Sequence, residues 1–102
     1  MTIPTQLVLR TFLHDPSREL YGVEISEAAG LPSGTVHPIL ARLEGVTWVE
    51  SHWEDIDPRK EGRPARRYYR LTSSGLEFAQ SALARAYRPA RTPRFQLAPG
   101  QT

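Results

Sequence analysis

Between Val36 and Trp53 the apolar residues change their spacing from that of a helix to that of a strand, and this switch limits the fold more than any other feature. Val36, Ile39, Leu40 and Leu43 fall at i, i+3, i+4 and i+7, which predicts one buried helical stripe. From Val46 the period is two: Val49, Ser51 and Trp53 alternate with Trp48, Glu50, His52 and Glu54. A second alternating run, Arg66 to Leu71, places Tyr69 and Leu71 inward and Arg66, Tyr68 and Arg70 outward. Between the two runs, residues 55–65 ("DIDPRKEGRPA") mix two prolines and a glycine with charges, which predicts a loop and makes the strands a hairpin.

The remaining segments fit around that core. Ile3, Leu7, Val8 and Phe12 predict a helix over residues 3–14, with Thr2 as cap, Pro4 in its first turn and Asp15-Pro16-Ser17 beyond its end. Tyr21, Ile25, Ala28 and Ala29 predict a short helix over 21–29, closed by Gly30 in the left-handed region. After the tight Leu31-Pro32 connection, Ser33 is a natural cap for a third helix over 34–44. The outer face of that helix carries Gly34, Thr35, Pro38, Ala41 and Arg42, so its backbone can approach another surface closely. Pro38 removes one helical hydrogen bond and disfavours helical geometry at His37, which predicts a distorted start. Thr72 caps a fourth helix that runs to about Tyr87. Its Leu76, Ala79, Leu83, Ala86 and Tyr87 form one stripe, with Phe78 and Ala82 nearly opposite. Two apolar sides call for two partners: the chain's own core and a second copy, or else Phe78 folded back on the first helix.

These elements predict an α+β, mostly α chain. Residues 1–71 form a winged helix-turn-helix, a three-helix unit with a two-stranded wing; 72–88 form a dimerisation helix; 89–102 form a basic, proline-rich, disordered tail. At 102 residues the chain can bury a single modest core. It has no cysteine, so a disulfide scaffold and a thiolate metal site are excluded, and no apolar run long enough to span a membrane. A cytoplasmic location is expected, with the chain on the nucleoid only when bound to DNA.

The formal net charge of +2 conceals a division. Residues 1–58 hold three basic and nine acidic side chains, whereas 59–102 hold ten basic and two acidic ones. All but Lys60 of the cations are arginine, whose planar fork suits bidentate contact with phosphate or a guanine edge. The charge peaks on the second hairpin strand, beside the small-faced third helix.

The stretches "LYGVEISEAAGLPSGTVHPILARLEGVTWVES" and "GRPARRYYRLTSSG" together resemble the PadR family of bacterial winged-helix transcriptional regulators. The resemblance rests on Tyr21-Gly22, Gly34-Thr35, Pro38, Leu40, Leu43-Glu44 and Arg67 through Gly75, in the family's order, and spans residues 5–88. It implies double-stranded DNA as partner, a homodimer and no cofactor. His37 stands where the family often has tyrosine. The last helix lacks the tryptophan with which some short members stack flat drugs, so a small-molecule inducer is left open.

Independently of the family, Ser33, Gly34 and Thr35 sit at a helix N-terminus suited to phosphate, although plain capping explains Ser33 equally well. His37 and Arg42 are candidates for the major groove, with Glu24 or Glu44 as alternative partners for Arg42. Arg59, Lys60, Arg63, Arg66 and Arg67 are candidates for phosphate or minor-groove contact, and Glu50, Glu54, Asp55 and Asp57 are candidates to pair with them internally. Leu76, Phe78, Ala79, Leu83 and Tyr87 are the candidate dimer contacts. His14, His37 and His52 are scattered without ligand spacing, so no metal or catalytic site is expected. The rival reading is a winged helix that binds protein instead of DNA.

Overall fold

A computed structural model describes residues 1–86. Helix α1 (Ile3–His14) is followed by strand β1 (Leu20–Tyr21), helices α2 (Gly22–Ala29) and α3 (Ser33–Gly45) and strand β2 (Val49–Trp53). A single helical turn, α4 (Pro58–Glu61), then precedes strand β3 (Arg67–Leu71) and helix α5 (Ser73–Ala86). The strands form one antiparallel sheet in the order β1-β3-β2. Tyr87 and the tail over 89–102, expected to be disordered, lie outside the described residues.

The caps explain most of the boundaries. Thr2 Oγ1 accepts the Thr5 N–H at 3.3 Å and starts α1. Glu24 accepts the Tyr21 N–H at 3.2 Å and, with Gly30 at φ 69°, delimits α2. The cap of α3 is Pro32, not the expected Ser33, which is its first helical residue. Pro32 is extended at ψ 152°, as a cap must be, and its carbonyl accepts the Thr35 and Val36 N–H groups. Helix α3 continues through Pro38 without interruption.

The stripe of α3 is buried as expected, with Val36 and Leu40 fully enclosed. Val8, Leu9 and Phe12 of α1, Ile25 of α2, Val49 and Leu71 of the wing and Ala79 and Leu83 of α5 complete the core. Ile3, expected in the α1 stripe, is 65% exposed, and Leu9 takes the inward place. On α5, Ala82 turns inward with Ala79 and Leu83, whereas Phe78 is exposed, outside the core, and stacks on Trp48 at 5.7 Å between centroids. Residues 55–65 are not wholly loop: Asp57 accepts the Arg59 N–H at 3.0 Å, Pro58 opens α4 and Gly62 closes it at φ 69°.

The junction of wing and α5 is tightly packed. The Thr72 N–H donates to the Trp48 carbonyl at 3.0 Å, and the Thr72 hydroxyl donates to the Thr47 carbonyl at 2.7 Å. The same hydroxyl oxygen accepts the Gly75 N–H at 2.9 Å and so caps α5. A Cβ on Gly75 would stand 1.8 Å from the Trp48 carbonyl oxygen. Gly75→Ala should therefore lower stability by about 3 kcal/mol, the upper range for overpacking. Gly34→Ala, with open space around it, should raise it by about 0.5 kcal/mol; urea unfolding of the two variants measures both.

Candidate nucleic-acid interface

The outer face of α3 is small and open. Ser33, Gly34, His37, Pro38, Ala41 and Arg42 are exposed and Thr35 is half-buried. Neither suggested acidic partner of Arg42 engages it. Glu24 pairs with Arg18 at 2.8 Å, and Glu44 accepts the Ser51 hydroxyl and lies 3.7 Å from Arg67. His37 leans toward the start of α2, where a Cβ on Gly22 would be 3.2 Å from its Cε1. With Tyr21, Val23, Arg66, Arg67 and Tyr69 it lines a groove of about 200 Å³ between α2, α3 and the wing.

Strand β3 sets the wing beside α3 through the register Glu50↔Arg70, Ser51↔Tyr69, His52↔Tyr68 and Trp53↔Arg67. Much of the wing's charge is matched internally. The Arg63 guanidinium grips Glu54 through both terminal nitrogens, at 2.7 and 2.9 Å, and Glu54 also accepts the Arg66 N–H at 3.2 Å. Arg70 pairs with Glu50 at 2.9 Å. Arg66 lies over the Tyr21 ring at 4.3 Å and Arg67 over the Trp53 ring at 5.1 Å. Tyr68 meets Tyr21 edge-on and stacks with His52. Arg59 and Lys60 stand exposed on α4, and among the described residues neither they nor Arg42 forms an ion pair.

The candidates thus separate. Ser33, Gly34, Thr35, His37 and Arg42 share the α3 face, with Arg66 and Arg67 across the groove. Arg59 and Lys60 sit farther along the wing, and Arg63 serves to hold the wing loop. Of the candidate dimer contacts, Leu76, Ala79 and Leu83 pack into the protomer's own core, which leaves Phe78 as the exposed member among the described residues. Sequence reading missed Trp53 as an exposed aromatic, and it missed α4, although Asp57-Pro58 with Gly62 four residues on is the grammar of a capped turn. Another cavity, about 380 Å³ between α1 and α2, has Leu7, His14, Arg18 and Ala29 among its lining residues and no part of the α3 face. No group of His, Asp or Glu among the described residues is arranged to hold a metal ion, and no helix among them is long and apolar enough to cross a membrane.

Among the groups that titrate away from their ordinary values, Glu54 and His52 matter within the accessible pH range. The hydrogen bonds from Arg63 lower Glu54 to about 2, so this pair supports the wing above the ordinary carboxylate range and is lost only as pH falls toward 2. His52 is raised above 6.5, first by its bond to Glu19 and then by the Trp53 carbonyl. Its contribution is full below 6.5 and is lost as pH rises through the raised value. NMR titration should give a Glu54 midpoint near 2, moving up to the ordinary carboxylate range in Arg63→Ala, while Glu19→Gln should bring His52 back toward 6.5.

Solved structures place this architecture. A PadR family transcription regulator from Clostridium difficile is 22% identical, with a TM-score of 0.65, over 82% of this chain and 86% of its own. A MarR family transcriptional regulator from Silicibacter pomeroyi (17% identity, TM-score 0.60) is matched over 84% of this chain and 54% of its own. Bordetella bronchiseptica BpsR (17%, TM-score 0.68) is matched over 86% and 57%. This chain therefore spans little more than half the length of the last two, and at such identities the likeness shows the fold: a winged helix. No curated protein matches the chain. The model of the "Transcriptional regulator PadR-like family" matches residues 13–81, from the end of α1 through most of α5. The chain belongs to that family, one of transcriptional regulators and not of enzymes.

Proposed function

We propose that this regulator binds double-stranded DNA as a homodimer and represses by occupying a pseudo-palindromic operator. The observation that carries the proposal is the exposed α3 face, almost bare of large side chains, set beside a wing whose unpaired cations lie on an exposed turn. A helix so faced can bring its backbone and Arg42 to the base edges of a major groove. Two copies place two such helices about 34 Å apart, one turn of the duplex. The exposed Phe78 on α5, stacked on Trp48, offers apolar surface for the second copy.

Internal pairing limits the electrostatic share of binding. Arg42, Arg59 and Lys60, which form no ion pair among the described residues, and Arg67, only loosely paired with Glu44, make four cations per protomer, eight per dimer, for a salt slope of about −7. BpsR is described as a protein whose DNA binding is regulated by 6-hydroxynicotinic acid; by analogy, the cavity between α1 and α2 is where a small effector of this chain is to be sought. The rival, a protein-binding winged helix, draws support from the neutralised wing.

Selection from a random duplex pool at about 0.15 M salt separates the two readings. The expected product is an inverted repeat with half-site centres about 10 base pairs apart; no retention of duplex favours the protein-binding wing. On the selected site, Arg42→Ala should cost about 1–3 kcal/mol and relax the preference at one position per half-site. Arg59→Ala with Lys60→Ala should instead weaken all duplexes alike and reduce the salt slope by about 3 to 4, measured by fluorescence polarisation at several salt concentrations.

A further inference from the structure

Trp53 is 62% exposed at the end of β2, a placement that folding does not reward for so large an apolar side chain. Its cross-strand partner is Arg67, so the two side chains share a sheet face. That face also carries Val49 and Leu71, buried at 2% and 6%, and Ser51 with Tyr69. It is therefore the core face of the wing, continued outward beyond its helical cover. Two contacts mark where the cover ends: Glu44, in the last turn of α3, accepts the Ser51 hydroxyl and lies 3.7 Å from Arg67. Trp53 thus overhangs the side of the wing that meets α3, and Arg67 lies over its ring at 5.1 Å. Among the described residues no other ring or cation stacks on this indole.

We infer that Trp53, with Arg67 stacked on it, is a contact to the DNA backbone: the indole packs against deoxyribose beside the recognition helix and presents Arg67 to the adjoining phosphate. This rests on the DNA-binding reading above and adds a residue that charge patterning does not reveal. The chemistry selects the ligand. An indole cannot neutralise phosphate, but it covers the apolar faces of the sugars, and a guanidinium laid on it loses less freedom when it donates to a phosphate oxygen. Arg67 keeps a third of its side chain exposed at 34%, and its 3.7 Å approach to Glu44 is loose enough to exchange for phosphate. The contact is independent of base identity, so it sets affinity and register and leaves sequence reading to α3.

The test is a polarisation titration of the full chain with a labelled duplex recovered from the selection, at several salt concentrations, with thermal melting of each variant as control. Trp53→Ala should bind about tenfold more weakly with an unchanged salt slope, because it removes apolar contact and no charge. Trp53→Phe should keep most of the affinity, and Arg67→Ala should reduce the slope by about 2 for the dimer. Melting should be unchanged in Trp53→Ala, as befits an exposed side chain. Wild-type affinity in Trp53→Ala would overturn the inference, as would a fall in its salt slope or a loss of melting temperature that Trp53→Phe repairs. If the wild-type chain binds no duplex, it is the DNA-binding reading that fails, and this inference falls with it.

Discussion

The carbonyl of Trp48 accepts the Thr72 N–H at 3.0 Å, and α5 begins so close to it that Gly75 can carry no side chain. At the other side of the same residue, the Trp48 N–H donates to the Leu43 carbonyl at 2.9 Å, the end of α3. One peptide segment therefore ties the α3 terminus, the start of β2, the end of β3 and the first turn of α5. Thr47, just before it, sits at φ 62°, a left-handed conformation that costs a β-branched residue about 1–3 kcal/mol. The Thr72 hydroxyl bonded to the Thr47 carbonyl, together with the packing of Ala79 and Leu83 beyond, holds that turn in place. The angle between α3 and the wing follows from this knot, and so does the position of Phe78 over the Trp48 ring.

Within the wing, the strong contacts and the open cations are different residues. Glu54 is half-buried and takes both Arg63 and the Arg66 N–H, an arrangement that shapes the loop. The Glu50–Arg70 pair is exposed on both sides and contributes little to folding. Arg66 and Arg67 are held by aromatic rings, which orient a guanidinium without cancelling its charge. The basic strand is thus partly a device for building the wing, and the cations left over for a ligand lie on α4 and α3 and, ring-held on the strand itself, at Arg66 and Arg67.

The elements legible in the sequence were those with enough length to show a period or a full cap. The Val36–Leu43 stripe, Gly30 and Thr72 are legible because each acts through its nearest neighbours in the chain. Strand β1 is not, since two residues have no periodicity and Leu20-Tyr21 pairs only because β3 is already in place. The roles of Phe78 and Ala82 were confused for a related reason. A helical wheel gives angles around α5 but not the position of Trp48, and that ring draws Phe78 outward and leaves Ala82 facing the core. The grip of Arg63 on Glu54 depends on how α4 folds the loop back, a geometry that composition does not encode. The general possibility of such pairing was legible from the acidic first strand; its particular partners were not.

On the DNA reading, the bareness of α3 has a cost and a compensation. Gly34, Pro38 and Ala41 give the backbone close approach but supply no donors or acceptors from their side chains, so base reading falls to His37 and Arg42. Pro38 adds one group of another kind: having no N–H, it leaves the Gly34 carbonyl without its helical donor on an exposed turn. That oxygen is an acceptor for a donor such as the cytosine amino group, and for water until then. With so few base contacts, most of the affinity must come from the duplex backbone, through α4, Arg67 and the overhanging Trp53. Sequence preference and affinity are then carried by separate parts of the domain, and the Trp48–Gly75 knot, by fixing the wing against α3, is what makes them act on one duplex together.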